Sequence, residues 1–346
     1  MDVIYGKNNL NENMLIQINN LFAMNYTNYH YTNLINLEET QKLIRDETFD
    51  CVCICDNNVV IGFAGYYDET NNNSSIKLYK LAHLLVDNKC RGRGLGSLLE
   101  DNRLMMVNSI AGEKVIYASC VENPRNSIYM KLNRGFRING FKYCYRNAYM
   151  KRDNSLILVN SDAIIRKKQV IVNTSNYLTR RILKSGNADI LFTCSNNEKV
   201  EQLNSGEDKC NCRLNDIAKN YVASISFDEV LGRSISRIES FAMSSDDTIN
   251  EILPDITKVK YNSIIVNPSI SGFDKLDNHL LKNSFYPVSY IPYINNYYGE
   301  LEYQYLPYGM NEILEDVEVS DKGKEFIRKL YDDSYNLKYK DIFLSL

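Results

Sequence analysis

The run Val86-Asp-Asn-Lys-Cys-Arg91-Gly92-Arg93-Gly94-Leu95-Gly96-Ser97 constrains this chain more than any other. An apolar strand-like segment ends in it, three alternate glycines and two arginines follow, and a helical rhythm begins. Glycine lets the backbone adopt positive φ and lets a ligand approach without a Cβ in the way. Successive N–H groups in such a turn converge on an anion. The helix behind it adds unsatisfied N–H groups and the positive end of its dipole. Arg91 and Arg93 add formal charge, so the segment has the chemistry of a pyrophosphate cradle. It is not a Walker A loop, which needs GxxxxGK followed by Ser or Thr. Nor is it a dinucleotide fingerprint: counted from Gly92, the last glycine position holds Ser97. That fingerprint also opens on the first strand of a parallel unit, whereas helical and hairpin patterns come first here.

Residues 8–24 and 36–47 carry apolar residues at helical spacing (Leu10, Met14, Leu15, Ile18, Leu21; Leu37, Leu43, Ile44), which predicts two helices. Cys51–Cys55 reads as a strand with Cys51, Cys53 and Cys55 on one face. Asp56-Asn57-Asn58 is a turn, and Val59–Tyr66 completes a hairpin. After a loop at 71–75, Ile76–Val86 is a long strand leading into the glycine turn. From Ser97 a helix is expected, with Leu95, Leu98, Leu99, Met106 and Ile110 on one stripe broken by Asn102. Gly112 is read as its end. Then come a strand at 115–120, a short helix at 126–133 and strand at 136–150.

Residues 151–160 are read as a boundary, giving domains 1–152 and 160–346. The second half is predicted to hold a strand at 169–172 and a helix at 177–183. A polar excursion follows at 195–212. Further on are a strand near 235–243, a helix near 247–253, a strand at 263–266, a helix at 274–282, strands at 287–293 and 299–306, and a terminal helix over 322–346. The tyrosine-rich stretch 286–308 is read either as sheet cladding or as a pocket lining.

A chain of 346 residues exceeds the usual size of one domain. Its net charge of −3 gives no basic excess for nucleic acid. No apolar run reaches the roughly 18 residues that span a bilayer, and the amino terminus lacks a secretory pattern, so no membrane and a cytoplasmic location are the expectations. Nine cysteines fit reduced thiols. Cys210 and Cys212 form a lone CxC pair, and with only three histidines in the chain no metal site is expected.

Arg91-Gly92-Arg93-Gly94-Leu95-Gly96, set between a long strand and a helix, resembles the cofactor motif of the GNAT superfamily of N-acetyltransferases. The strand Val115–Cys120, the asparagine-containing loop beginning at Asn123 and the short helix ending in Gly135-Phe136 resemble its second signature. The resemblance covers roughly residues 1–150. It implies an α+β GNAT fold, a mostly antiparallel central sheet flanked by helices. It also implies acetyl-CoA or another acyl-CoA as cofactor. The pyrophosphate would lie on the backbone of Arg91, Gly92, Arg93, Gly94, Leu95, Gly96 and Ser97. The pantetheine arm would add like a strand to Leu84, Leu85 and Val86, with a contact from Asn123 or Asn126. The oxyanion formed on transfer would take a backbone N–H near Leu85 or Val86.

The chain departs from the family pattern at the proton-transfer positions. The fourth strand carries no Asp or Glu, so His83 is its only conventional base, and it reads equally as a packed strand residue. Lys131 stands where many members have a tyrosine acid. Tyr129 lies about 200° around a helix from it, and is read as packing or cofactor contact more than as an acid. In the second half, Tyr261–Val266, Phe273–Phe285 and Tyr286–Tyr293 echo the end of such a domain. With no Arg-x-x-Gly-x-Gly turn, they suggest a mixed α/β GNAT-like domain without the cofactor cradle. The expected activity is acetyl transfer to a primary amine of a small metabolite. The alternatives are acetylation of a protein lysine or amino terminus, or a catalytically inactive acyl-CoA-binding module. The sequence leaves the oligomeric state open.

Overall fold

Asn57 and Asn58 both take positive φ, 50° and 63°, as a two-residue type I′ turn requires. They join the first hairpin of the sheet. The computed structural model describes residues 1–26, 32–70, 76–121, 126–148, 151–160, 170–174, 179, 182, 183, 190–193, 201, 202, 222–228, 233–240, 261–270, 272–295 and 298–306. The loop at 71–75, the excursion at 195–212 with its CxC pair (apart from Glu201 and Gln202), the helices at 247–253 and 322–346, and Asn123 lie outside the described residues. The chain divides into two compact units, Met1–Ser119 with Asn147–Arg152, and Cys120–Arg146 with Asp153–Leu346.

The first unit runs β1 (Asp2–Tyr5), α1 (Glu12–Tyr26), α2 (Leu37–Arg45), β2 (Phe49–Asp56), β3 (Val59–Asp68), β4 (Lys77–Val86), α3 (Leu95–Ser109) and β5 (Lys114–Val121). The strands lie in the order β1-β2-β3-β4-β5. All pairs are antiparallel except β4 with β5, which α3 connects in parallel. The alternation read in β2 holds. Cys51, Cys53 and Cys55 pack with Ile18, Leu21 and Phe22 of α1 and Ile44 of α2. Val52 and Ile54 turn the other way, onto Leu95 and Leu99 of α3. The strand is therefore buried on both faces. A hydrogen bond from Cys51 and burial hold the Cys53 thiol well above its ordinary pKa, the state of an inert packed thiol.

Helix α3 departs from its expected form in two ways. It begins at Leu95, because Gly94 in the left-handed region (φ 78°) caps it, and it ends at Ser109 with Ile110 as cap rather than at Gly112. Its buried face is also different. Leu95, Leu99, Leu104 and Val107 face the core together with Glu100 and Arg103, while Met106 and Ile110 are half-buried.

The second unit contains α4 (Asn126–Leu132), β6 (Phe136–Ala148), β7 (Lys151–Asn160), β8 (Val170–Asn173), β9 (Ile190–Thr193), β10 (Glu201–Gln202), β11 (Val222–Asp228), β12 (Arg233–Ser240), β13 (Tyr261–Val266), α5 (Phe273–Lys282), β14 (Phe285–Asn295) and β15 (Tyr298–Tyr305). Strands β7, β9, β10 and β11 were not expected; β7 occupies the stretch 151–160 read as a boundary, and β10 falls within the 195–212 excursion. The signal for β11 is its alternation, Ala223, Ile225 and Phe227 against Ser224 and Ser226. Neighbouring strands follow the order β6-β14-β15-β13-β12-β11, and β10-β9-β8 form a separate sheet. Strands β12 and β13 pair in parallel from Arg233↔Tyr261 to Ile238↔Val266. Tyr290 and Tyr303, in the tyrosine-rich stretch, are buried in this unit's core.

Asp277 of α5 is fully buried. It accepts hydrogen bonds from Thr174 Oγ1 (2.5 Å), Thr179 Oγ1 (2.7 Å) and Tyr303 OH (2.7 Å). Desolvation outweighs these donors and raises its pKa from 3.8 to about 6. The fold thus favours the protonated carboxyl. That stabilisation is complete below about pH 4 and is lost as the pH rises through 6. A rise of this size between the unfolded and the folded chain corresponds to about 3 kcal/mol. Urea denaturation of wild type and Asp277→Asn checks this. The wild-type stability, relative to the variant, should fall by up to about 3 kcal/mol between about pH 4 and pH 7, and a constant difference would refute the assignment.

Candidate active site

The glycine turn is built as its sequence requires. Asp87 Oδ1 accepts from the Lys89 N–H at 2.8 Å and opens a 3-10 turn over Asn88–Cys90. Gly92 and Gly94 take φ of 77° and 78°, and the Leu98 N–H closes the first turn of α3 on the Gly94 carbonyl at 3.0 Å. A Cβ added at Gly92, Gly94 or Gly96 meets no atom within 4 Å. Two glycines of the sheet behave differently. At Gly62 a Cβ would lie 2.9 Å from Leu99, and at Gly65 2.2 Å from Phe49, so those positions are glycine for internal packing. Gly96 has neither a positive φ nor an internal neighbour, and alanine would make a better helix there by about 1 kcal/mol. The space above it leaves the backbone there open to a group from outside the chain. Leu95 is buried, while Arg91, Arg93 and Ser97 are exposed. Arg91 Nη2 donates to Asn25 Oδ1 at 2.6 Å, which ties the turn to the last turn of α1.

Strand β4 is irregular beside this turn. Its register with β3 runs Gly65↔Ala82 and then Phe63↔Leu85, with a bulge between. Ala64 thus faces both His83 and Leu84, and His83 takes φ 54°. On the other edge the described ladder with β5 runs from Lys77↔Lys114 to Leu81↔Ala118. Asp87 N–H donates to the Ile61 carbonyl at 2.9 Å. By strand alternation Leu85 therefore turns its backbone groups toward β3, and Val86 turns its own away. From the α3 side, Arg103 Nη1 donates to the carbonyls of Gly65 (2.8 Å) and Ala82 (2.7 Å), and Nη2 pairs with Glu100.

His83 is half-buried at the bulge. Its Nε2 lies 3.0 Å from the Tyr67 hydroxyl, and its ring packs against Phe22, Phe49 and Tyr67. The structure shows this residue packed among aromatic rings and only partly buried. In the second unit, Tyr129 is 41% exposed on α4 and Asn126 is exposed at that helix's start. Lys131 is buried, with its ammonium 5.5 Å over the Phe136 ring.

Residues 15–132 match the family model described as "Acetyltransferase (GNAT) family". This segment is a GNAT acetyltransferase domain. The matched acetyltransferase domain includes the cradle, β4 and α4, and the Gly135-Phe136 pair follows just beyond it. Among solved structures, the chain is similar to the ribosomal-protein-alanine N-acetyltransferase from Brucella melitensis, at 15% identity and TM-score 0.39, covering 46% of this chain and 98% of that one. It is also similar to the aminoglycoside 6'-N-acetyltransferase from Enterococcus faecium, at 16% identity and TM-score 0.37, covering 49% of this chain and 100% of that one. No curated protein matches the sequence significantly.

Sequence reasoning about the acetyltransferase domain missed Glu100 and Arg103. The available signal was an i, i+3 charge pair set among apolar positions of one helix. Among the described residues no group of three His, Cys, Asp or Glu side chains is placed to hold a metal, and no helix is long and apolar enough to cross a membrane.

Proposed function

We propose that the acetyltransferase domain takes acetyl-CoA, or another acyl-CoA, and transfers the acyl group by direct attack of a primary amine on a small metabolite. One observation carries the reading. Within one domain, three glycines with open space above them stand next to the bulged strand β4, whose described ladder with β5 runs from Lys77↔Lys114 to Leu81↔Ala118. Bound acetyl-CoA supplies a thioester activated toward amines. The backbone of residues 91–97 and the head of α3 hold its pyrophosphate, and the edge at Leu84–Val86, chiefly Val86, holds the pantetheine arm. An amine of pKa near 10 must lose a proton before attack, and His83 at the bulge is the residue proposed to take it. The scattered charge of the chain, net −3, favours a small acceptor over a basic peptide.

We further propose that the second half is a GNAT-like partner without a cradle. In the first half a parallel strand pair (β4, β5) is followed by helix α4 and then β6 and β7. In the second, β12 and β13 pair in parallel and α5 leads to β14 and β15. Gly135 before β6 and Ser284 before β14 both take the left-handed conformation, φ 82° and 63°. A serine holding that strained geometry supports a shared turn.

A thermal-shift series with acetyl-CoA, CoA, longer acyl-CoAs, ATP and NAD tests the donor, and calorimetry gives the stoichiometry. Stabilisation by CoA species at one site per chain, followed by thiol release with an amine panel, is the expected result. Stabilisation by ATP or NAD alone would overturn the donor assignment, and two CoA sites would overturn the cradle-free reading of the second half.

A further inference from the structure

Helix α3 touches the site at two places. Its head is the cradle, and two to three turns later Arg103 reaches across the sheet to the β4 bulge. A bulge leaves ladder groups unpaired, and a buried carbonyl without a donor costs free energy comparable to a lost hydrogen bond. Arg103 supplies that donor: one nitrogen serves both the Gly65 and the Ala82 carbonyl. Arg103 is 1% exposed and Glu100, its partner on the same helix, is 0% exposed. A well-packed apolar pair would fill this volume without desolvating two charges. It would not donate to two carbonyls.

We propose that Arg103 is a positioning residue for the acyl donor. It holds the β4 bulge in place, and with it the strand edge that receives the pantetheine arm. It does so at a fixed separation from the phosphate cradle, because both sit on one rigid helix. Nine residues separate Gly94 from Arg103, a rise of roughly 14 Å along the axis. The inference rests on the acyl-CoA reading of the site.

Arg103→Met alone would leave Glu100 buried without its cation, so the main test is the double variant Glu100→Leu/Arg103→Met, with Arg103→Lys as the conservative change. Calorimetry measures CoA and 3'-phospho-ADP, the nucleotide half of CoA that lacks pantetheine. Kinetics separates kcat from the KM for acetyl-CoA. In the double variant, CoA affinity should fall at least about tenfold, or about 1.4 kcal/mol, with a matching loss in kcat/KM. Binding of 3'-phospho-ADP should stay within about twofold of wild type, and Arg103→Lys should fall between. A lower melting temperature with both affinities unchanged would reduce Arg103 to a structural residue. Equal losses for both ligands would place its effect on the cradle and also overturn the proposal. Wild-type protein that binds neither ligand would overturn the site reading itself.

Discussion

Gly94→Asp should abolish the stabilisation by acetyl-CoA while leaving the unliganded fold nearly unchanged. At one hundred times its dissociation constant, a ligand adds about 2.7 kcal/mol to the stability of the wild type. A Cβ at this position meets no described atom within 4 Å beyond its chain neighbours, so the aspartate side chain starts in open space. Its φ of 78° costs an ordinary residue about 1–2 kcal/mol, and aspartate is among those that tolerate it best. Against a pyrophosphate, the added charge at about 4 Å is repelled by about 1 kcal/mol in bulk water and about 4 kcal/mol near a protein surface. Thermal melts with and without acetyl-CoA therefore separate binding from folding. A variant that keeps the full ligand response would mean that the pyrophosphate lies elsewhere.

The second large effect is expected at His83. Glutamine there keeps a polar group near the Tyr67 hydroxyl but cannot accept and pass on a proton at neutral pH. Loss of a general base lowers the rate by about 10²–10⁴-fold. Steady-state kinetics of His83→Gln should show that fall in kcat, with the KM for acetyl-CoA within about threefold of wild type. A kcat reduced less than about threefold would leave His83 as packing among Phe22, Phe49 and Tyr67, with water as the base.

What the sequence disclosed follows from how local each signal is. The cysteines of β2, the Asn57-Asn58 turn and the glycine turn between β4 and α3 are set by neighbours a few residues away, and the structure has each where the pattern put it. The β4 bulge was hidden because it is a property of pairing. Residues 78–86 read as an uninterrupted strand, and only the register against β3 makes His83 left-handed. Glu100 and Arg103 were passed over for a related reason. Charges on an amphipathic helix belong to the solvent side unless a distant acceptor claims them, and here the acceptors are carbonyls of two strands. The second half was less legible because β11 and the small sheet β10-β9-β8 depend on pairings between distant segments.

The empty space above Gly92, Gly94 and Gly96 has a consequence for how such a domain changes over generations. Among the described residues nothing packs above those three positions, so a side chain costs about 1–2 kcal/mol at the positive-φ Gly92 and Gly94 and nothing in helix propensity at Gly96, without unfolding the sheet. Selection sees them only through the ligand. Donor binding can therefore disappear from a copy of this architecture while its strands, helices and core persist. A scaffold emptied of chemistry is an easy product of that loop, and one that still holds its chemistry is under pressure to keep it bare.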